Sequence, residues 1–174
     1  MRKVLICMCA VLLIAGAASA QGKVDSQLKC DKPSPQHSID VGDKPNHAYS
    51  IAHFSCTYTK GEFDGVKDKD GAGTQFDEVT SDSSRYHGYF MENSSNGDTI
   101  HYRYEGKAML KSGQFVSGNH KWTAISGTGK FAGIKASGTC KGTGNPDGGV
   151  AWSCDGTYTL KAAPAKAAAP KKKM

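Results

Sequence analysis

The residues of this 174-residue chain that could do chemistry are six histidines, an aspartate-rich run and a glycine-rich turn. His37, His47, His53, His87, His101 and His120 show no tight ligand spacing. His53, His87, His101 and His120 fall on separate alternating segments, so only folding could bring them together. Histidines scattered over strands are more often surface or hydrogen-bonded groups than metal ligands, and no metal site is expected. Val66-Lys-Asp68-Lys-Asp70-Gly71, running on to Asp77, resembles the middle of a calcium loop. Val66, however, stands where the first acidic ligand belongs, and no helical pattern flanks the run. A solvated acidic loop is the plainer reading. Gly127-Thr-Gly129-Lys-Phe-Ala-Gly133 lacks the spacing, the following helix and the ribose-binding acid of a dinucleotide loop. Neither a G-x-S-x-G elbow nor an H-E-x-x-H pair occurs. Asn93-Ser94-Ser95 is a glycosylation sequon, meaningful only in a eukaryotic secretory pathway. No catalytic residue and no cofactor are assigned on these grounds.

The elements that would position these groups are strands. In Ala48–Tyr58, one face carries Ala48, Ala52, Phe54, Cys56 and Tyr58; in Asp98–Glu105, Ile100, Tyr102 and Tyr104 share a face opposite Thr99, His101, Arg103 and Glu105. Arg85–Met91 and Gln114–Ile125 read as further strands, with polar glycine-bearing turns between them. Period-two alternation at short spacing, without long helical periodicity, predicts an all-β antiparallel barrel or sandwich. Gly61–Ser84, rich in Asp and Gly, reads as a long loop with one short strand at most.

The chain opens Met1-Arg2-Lys3, continues with an apolar run from Val4 to Ala18, and then reads Ala18-Ser19-Ala20-Gln21. This is the pattern of a signal peptide cleaved after Ala20. The alternative, a retained anchor, is disfavoured because the run is shorter than the roughly twenty residues that span a bilayer. The expected organisation is a signal peptide over 1–20, a β-barrel domain over 21–160 and a disordered tail over 161–174. The protein is expected to be secreted or periplasmic.

The charge is unevenly placed. The net charge is +6, but Lys161, Lys166, Lys171, Lys172 and Lys173 lie in a tail with no acid, and Arg2 and Lys3 lie in the signal. The body is close to neutral, which argues against a nucleic-acid-binding face. The tail's lysines could tether the protein to an anionic envelope or membrane surface, although a solubilising tail without a specific partner is the plainer reading.

Cys30, Cys56, Cys140 and Cys154 remain after residue 20. An even count in an exported chain implies two disulfides. Asn145-Pro146-Asp147-Gly148-Gly149 suits a type I turn followed by a left-handed glycine, with 145 and 149 as the closing pair. Register then sets Cys140 opposite Cys154, five steps from the closing hydrogen-bonded pair. That step is a non-hydrogen-bonded pair, whose Cα atoms lie closest. Cys30 is left for Cys56.

Two stretches, Gly97-Asp-Thr-Ile-His-Tyr-Arg-Tyr-Glu-Gly106 and Trp122-Thr-Ala-Ile-Ser-Gly-Thr-Gly-Lys-Phe-Ala-Gly-Ile-Lys-Ala-Ser-Gly138, resemble the allene oxide cyclase/dirigent-like barrel superfamily. The resemblance covers Gly97–Gly138 and implies an eight-stranded, calycin-like barrel with an apolar interior. It implies no reaction, and none of that family's catalytic residues maps onto this chain. Phe131 would anchor the turn into a late strand.

Three functions fit these observations. In a binding module, Phe90, Tyr102, Tyr104 and Trp122 would contact a small apolar or aromatic molecule, unless they merely fill the core. An isomerase or cyclase would need a buried acid or base beside the pocket. Glu105 and His101 qualify only by type and sit on the face opposite Tyr102 and Tyr104. An envelope-interaction protein would work through its surface and tail. Core filling is the plainer reading of these aromatics, and among the functions small-molecule binding is placed ahead of catalysis.

Overall fold

The computed structural model describes residues 21–161. The expected signal segment and all of the lysine-rich tail beyond Lys161 lie outside the described residues. Ten strands follow one another: β1 (Gln21–Cys30), β2 (Gln36–Asp40), β3 (Ala48–Lys60), β4 (Glu62–Phe63), β5 (Val66–Val79), β6 (Ser83–Ser94), β7 (Thr99–Lys111), β8 (Gln114–Gly127), β9 (Lys135–Gly144) and β10 (Val150–Thr159). A single 3₁₀ turn, Gly129–Phe131, interrupts them. Among the described residues there is no α-helix.

Eight strands close a ring. β5, β6, β7, β8, β9 and β10 pair in sequence, β10 pairs with β1, and β3 bridges β1 and β5. All these pairings are antiparallel. β2 lies along the first half of β3, end to end with β1, and β4 pairs only with the start of β5. The barrel class expected from alternation is therefore found, closed rather than layered as a sandwich.

The segment read as an acidic loop is the long strand β5. A bulge between Asp68 and Asp70 shifts its parity, so Asp68 faces inward before the bulge and Gly71, Gly73, Gln75 and Asp77 after it. No apolar alternation survives such a composition. The glycines are there for room. A Cβ on Gly71 would stand 2.3 Å from the Phe90 ring, and one on Gly73 2.6 Å from the Phe54 ring. The parity break also separates the calcium-like acids: Asp68 is buried, while Asp70 accepts from Asn93 Nδ2 at 2.7 Å at the rim.

The two ends of the barrel differ. Phe63, Ile100, Phe131, Ile134 and Leu160 are all buried at one end, which we call the floor. Phe63 meets Phe131 and Tyr158 edge-on, with centroids 6.0 and 5.1 Å apart. The β4–β5 turn is clasped over this plug. Tyr158 Oη accepts from the Asp64 amide at 2.8 Å, and Lys130 reaches the Asp64 carboxylate at 2.9 Å. Phe131 thus anchors the glycine-rich turn, with Gly129 and Gly133 at positive φ beside it. The other end, the mouth, carries the small residues Ala48, Ser50, Ser84 and Ala108, which leave it open.

Both disulfides form as expected, Cys30–Cys56 and Cys140–Cys154. The hairpin has the turn and register that the sequence predicts. Gly149 O accepts from the Asn145 amide at 2.8 Å, Gly148 takes φ 88°, and Cys140 stands opposite Cys154.

Candidate functional site

The interior holds a cavity of about 390 Å³ that runs from the mouth toward the floor plug. Phe90, Tyr102, Tyr104 and Trp122 all line it, together with Phe54, Tyr58, Tyr86, Phe115 and Trp152. Alternation on β6, β7 and β8 aims these rings inward. Glycines on β9 and β10 seat the largest of them: a Cβ on Gly138 or Gly156 would lie 2.6 or 2.7 Å from Trp122. The same alternation puts Glu105 and His101 outside, opposite Tyr102 and Tyr104, as the sequence implies. Of the four strand histidines only His120 lines the cavity; His53, His87 and His101 sit on the outer face. His87 stacks there on Phe76.

The acids that matter are Glu92, which the sequence did not single out, and Asp68 and Asp77, which it placed in a solvated acidic loop. Glu92, 1 % exposed, lies in the deep part of the cavity. Its Oε2 accepts from Tyr58 Oη at 2.7 Å and from Tyr102 Oη at 3.0 Å. Behind it, Asp68 is within hydrogen-bonding reach of Glu92, with no amide, hydroxyl or cation donating to either Asp68 oxygen or to Glu92 Oε1. Two carboxylates cannot satisfy each other unless one holds a proton. Burial, and then the charge of Glu92, push the Asp68 carboxyl up to about 8. Burial likewise raises Glu92, against the hydrogen bonds from Tyr58, Tyr102 and Asp68. Below that range the pair shares a proton. Burial and the adjoining Glu92 charge hold Tyr58 and Tyr102 well above their ordinary values, so both remain hydroxyl donors.

A second polar group sits nearer the mouth. Asp77 accepts from Ser84 Oγ at 2.8 Å and from Gln75 Nε2 at 3.0 Å. Burial raises its carboxyl, while these two donors oppose the rise. Gln75 Oε1 accepts from Tyr104 Oη at 3.2 Å. His120 is held neutral, its ring pushed down to about 4 by burial. It packs 4.5 Å from the Trp152 ring and 5.1 Å from Tyr104.

Two features of this lining define what it can accept. Its wall is mainly aromatic and aliphatic, and Lys32 at the mouth is the one cationic residue among those that line it. Glu92 and Asp77 in the wall and Asp68 behind it thus stand without an inward cation among the described residues, and Asp31 beside Lys32 adds a fourth carboxyl at the mouth, which disfavours an anionic guest. A neutral guest with a hydrogen-bond donor meets the polar deep end and aromatic walls at once.

The fold and its interior define a class: a closed eight-stranded antiparallel barrel with an open-mouthed, aromatic-walled cavity and a carboxyl pair near its floor. The chain is similar in structure to two solved dirigent proteins. The pterocarpan synthase dirigent protein PsPTS1 shares 12% identity at a TM-score of 0.47, covering 83% of this chain and 97% of that one. The pterocarpan synthase dirigent protein GePTS1 shares 12% identity at a TM-score of 0.49, covering 91% and 100%. No protein-family model matches the chain, and no curated protein matches its sequence.

Proposed function

We propose that this protein is an exported barrel that binds a small, neutral, largely aromatic or apolar molecule carrying one hydrogen-bond donor. The observation that carries the reading is the cavity of about 390 Å³, open at one end and walled by aromatic rings, with the hydrogen-bonded group of Glu92, Tyr58 and Tyr102 at its deep end. That volume lies within the range of small-molecule sites. Phe90, Tyr102, Tyr104 and Trp122 supply the walls, and the Glu92 carboxyl with its two tyrosine hydroxyls supplies the polar end. Export accords with the first twenty residues and with two disulfides, which persist in oxidising compartments. The lysines of the tail, Lys161, Lys166, Lys171, Lys172 and Lys173, would hold the barrel near an anionic envelope or membrane surface.

Native mass spectrometry of the protein purified from its own source tests the reading. The expected spectrum shows an added small mass that is lost on denaturation and reduced by Glu92→Ala. A ligand-free spectrum, together with no binding of neutral aromatic probes, would sink it.

A second reading rests on the proton shared by Glu92 and Asp68. A carboxyl pair raised by burial can give and take back a proton, as an isomerase or cyclase requires. Glu92→Gln separates the two: a binder keeps most of its affinity, while an enzyme keeps the affinity and loses its turnover.

A further inference from the structure

The interior face of β8, β9, β10 and β1 carries one row of directly opposed residues: His120, Cys140, Cys154 and Ser26. A ring nitrogen of His120 and the two sulfurs lie within 4.8 Å of one another, and all three residues line the cavity. Cys30–Cys56 has no such neighbour among the described residues. We propose that reduction of Cys140–Cys154 unmasks a site for one zinc-like, thiophilic divalent cation, with Cys140, Cys154 and His120 as its protein ligands.

The chemistry balances. The disulfide takes two electrons and two protons from a dithiol, which leaves as its own disulfide. Metal binding then displaces the two thiol protons to water. Two thiolates and one imidazole around a divalent cation leave no net charge, the form an apolar cavity tolerates. Two sulfurs and one nitrogen are also a known zinc donor set with a fourth position open, here facing the cavity.

A second observation favours His120 as a ligand rather than a bystander. Tyr86 Oη donates to the Asn119 carbonyl at 3.2 Å and stands 3.4 Å from His120 Nδ1. With its own proton engaged, the tyrosine oxygen accepts from Nδ1–H. That tautomer leaves Nε2 with a free lone pair. Metal-bound histidines are commonly oriented in this way through the other ring nitrogen. Flanking rings of Trp152 and Tyr104 hold the imidazole in place. The row itself is rigid, because three hydrogen-bonded strands set its spacing before any metal arrives.

Co²⁺ is the probe, because its visible spectrum reports tetrahedral sulfur coordination. The whole protein is reduced with a phosphine, desalted without oxygen and titrated with Co²⁺ and then Zn²⁺, with near-ultraviolet circular dichroism reporting the fold. The expected result is one equivalent of Co²⁺ bound with a tetrahedral thiolate spectrum, displaced by Zn²⁺, and none bound before reduction. His120→Ala should weaken binding at least tenfold, Cys140→Ser/Cys154→Ser should abolish it, and Cys30→Ser/Cys56→Ser should leave it intact. A folded reduced protein that binds no metal overturns the proposal. So does binding that survives Cys140→Ser/Cys154→Ser, or a reduced chain that stays unfolded with metal present.

Discussion

The floor and the mouth of this barrel bury their acids by different means. Near the mouth, Asp77 is a half-buried carboxylate: Ser84 and Gln75 donate to it, and their hydrogen bonds offset part of what burial does. Toward the floor, Asp68 receives no donor from the rest of the chain, and its nearest polar partner is another acid. One site is satisfied by neutral donors, whereas the other needs a proton. The packing divides the same way. Aromatic and branched side chains plug the floor, and alanines and serines leave the mouth open. A closed barrel thus has one end built for rigidity and one for access, and the polar deep end of the cavity falls between them.

The two ends should differ most in what a substitution costs at the plug. Phe131→Ala should cost about 3–5 kcal/mol, the range for emptying a buried aromatic site. Ala48→Leu at the mouth, where there is open space, should cost well under about 1 kcal/mol. Chemical denaturation of both variants measures the contrast. Equal losses would mean that the mouth is packed as tightly as the floor.

Removing the cross-strand link comes next. Cys140→Ala/Cys154→Ala frees a short loop of 14-residue separation, and the chain-entropy argument sets the loss at about 3 kcal/mol. The melting temperature should fall while the far-ultraviolet strand signal persists. A variant with no strand signal at room temperature would show that the barrel depends on this link to fold.

Asp68 sharpens the contrast between the two acids. Its carboxyl stands at about 8 in the folded chain, against an ordinary value near 4 when unfolded. Below pH ~4 both states hold the proton. As pH rises toward 8 the unfolded chain releases it and the folded chain does not, so stability falls through that window and then levels. Asp68→Asn should flatten that slope, raising stability at pH 8.5 by at most about 5 kcal/mol and changing little at pH 4. Asp77→Asn should show a weaker effect, because donors already hold that carboxylate. Melting curves across pH 4–9 decide the matter; a wild-type profile flat over that window would contradict the shared proton.

The smallest effect belongs to the tail. Deleting residues 161–174 should leave the melting temperature nearly unchanged and abolish salt-sensitive adsorption to anionic vesicles. Unfolding on deletion would mean that the tail completes the floor.

The sequence exposes those parts of the fold in which side-chain alternation is intact. β3, β7 and the inward Tyr102 and Tyr104 are legible from period two alone, and the Cys140–Cys154 pairing from one turn and a register count. β5 is not, because its inward positions are Asp68, Gly71, Gly73, Gln75 and Asp77 and its bulge changes parity midway. The glycines are conformationally ordinary there and matter for the rings above them, which composition does not reveal. Asp68 and Asp77 therefore look like loop acids. Glu92 sits on a well-patterned strand, and a count of inward parity from Tyr86, Gly88 and Phe90 leads to it. An inward glutamate breaking an apolar row was the available signal for the site.

If the cavity is a binding site, a neutral aromatic guest enters through the mouth and reaches the polar end at Glu92. Calorimetric titration with 2-naphthol and 2-naphthoate, on the wild type and on Ala48→Trp, tests it most directly. The wild type should bind the neutral naphthol with one-to-one stoichiometry and reject the anionic naphthoate. Naphthol binding should be lost in Ala48→Trp, where the larger side chain narrows the mouth. Naphthoate binding as tightly as naphthol, or naphthol binding unchanged in Ala48→Trp, would contradict it.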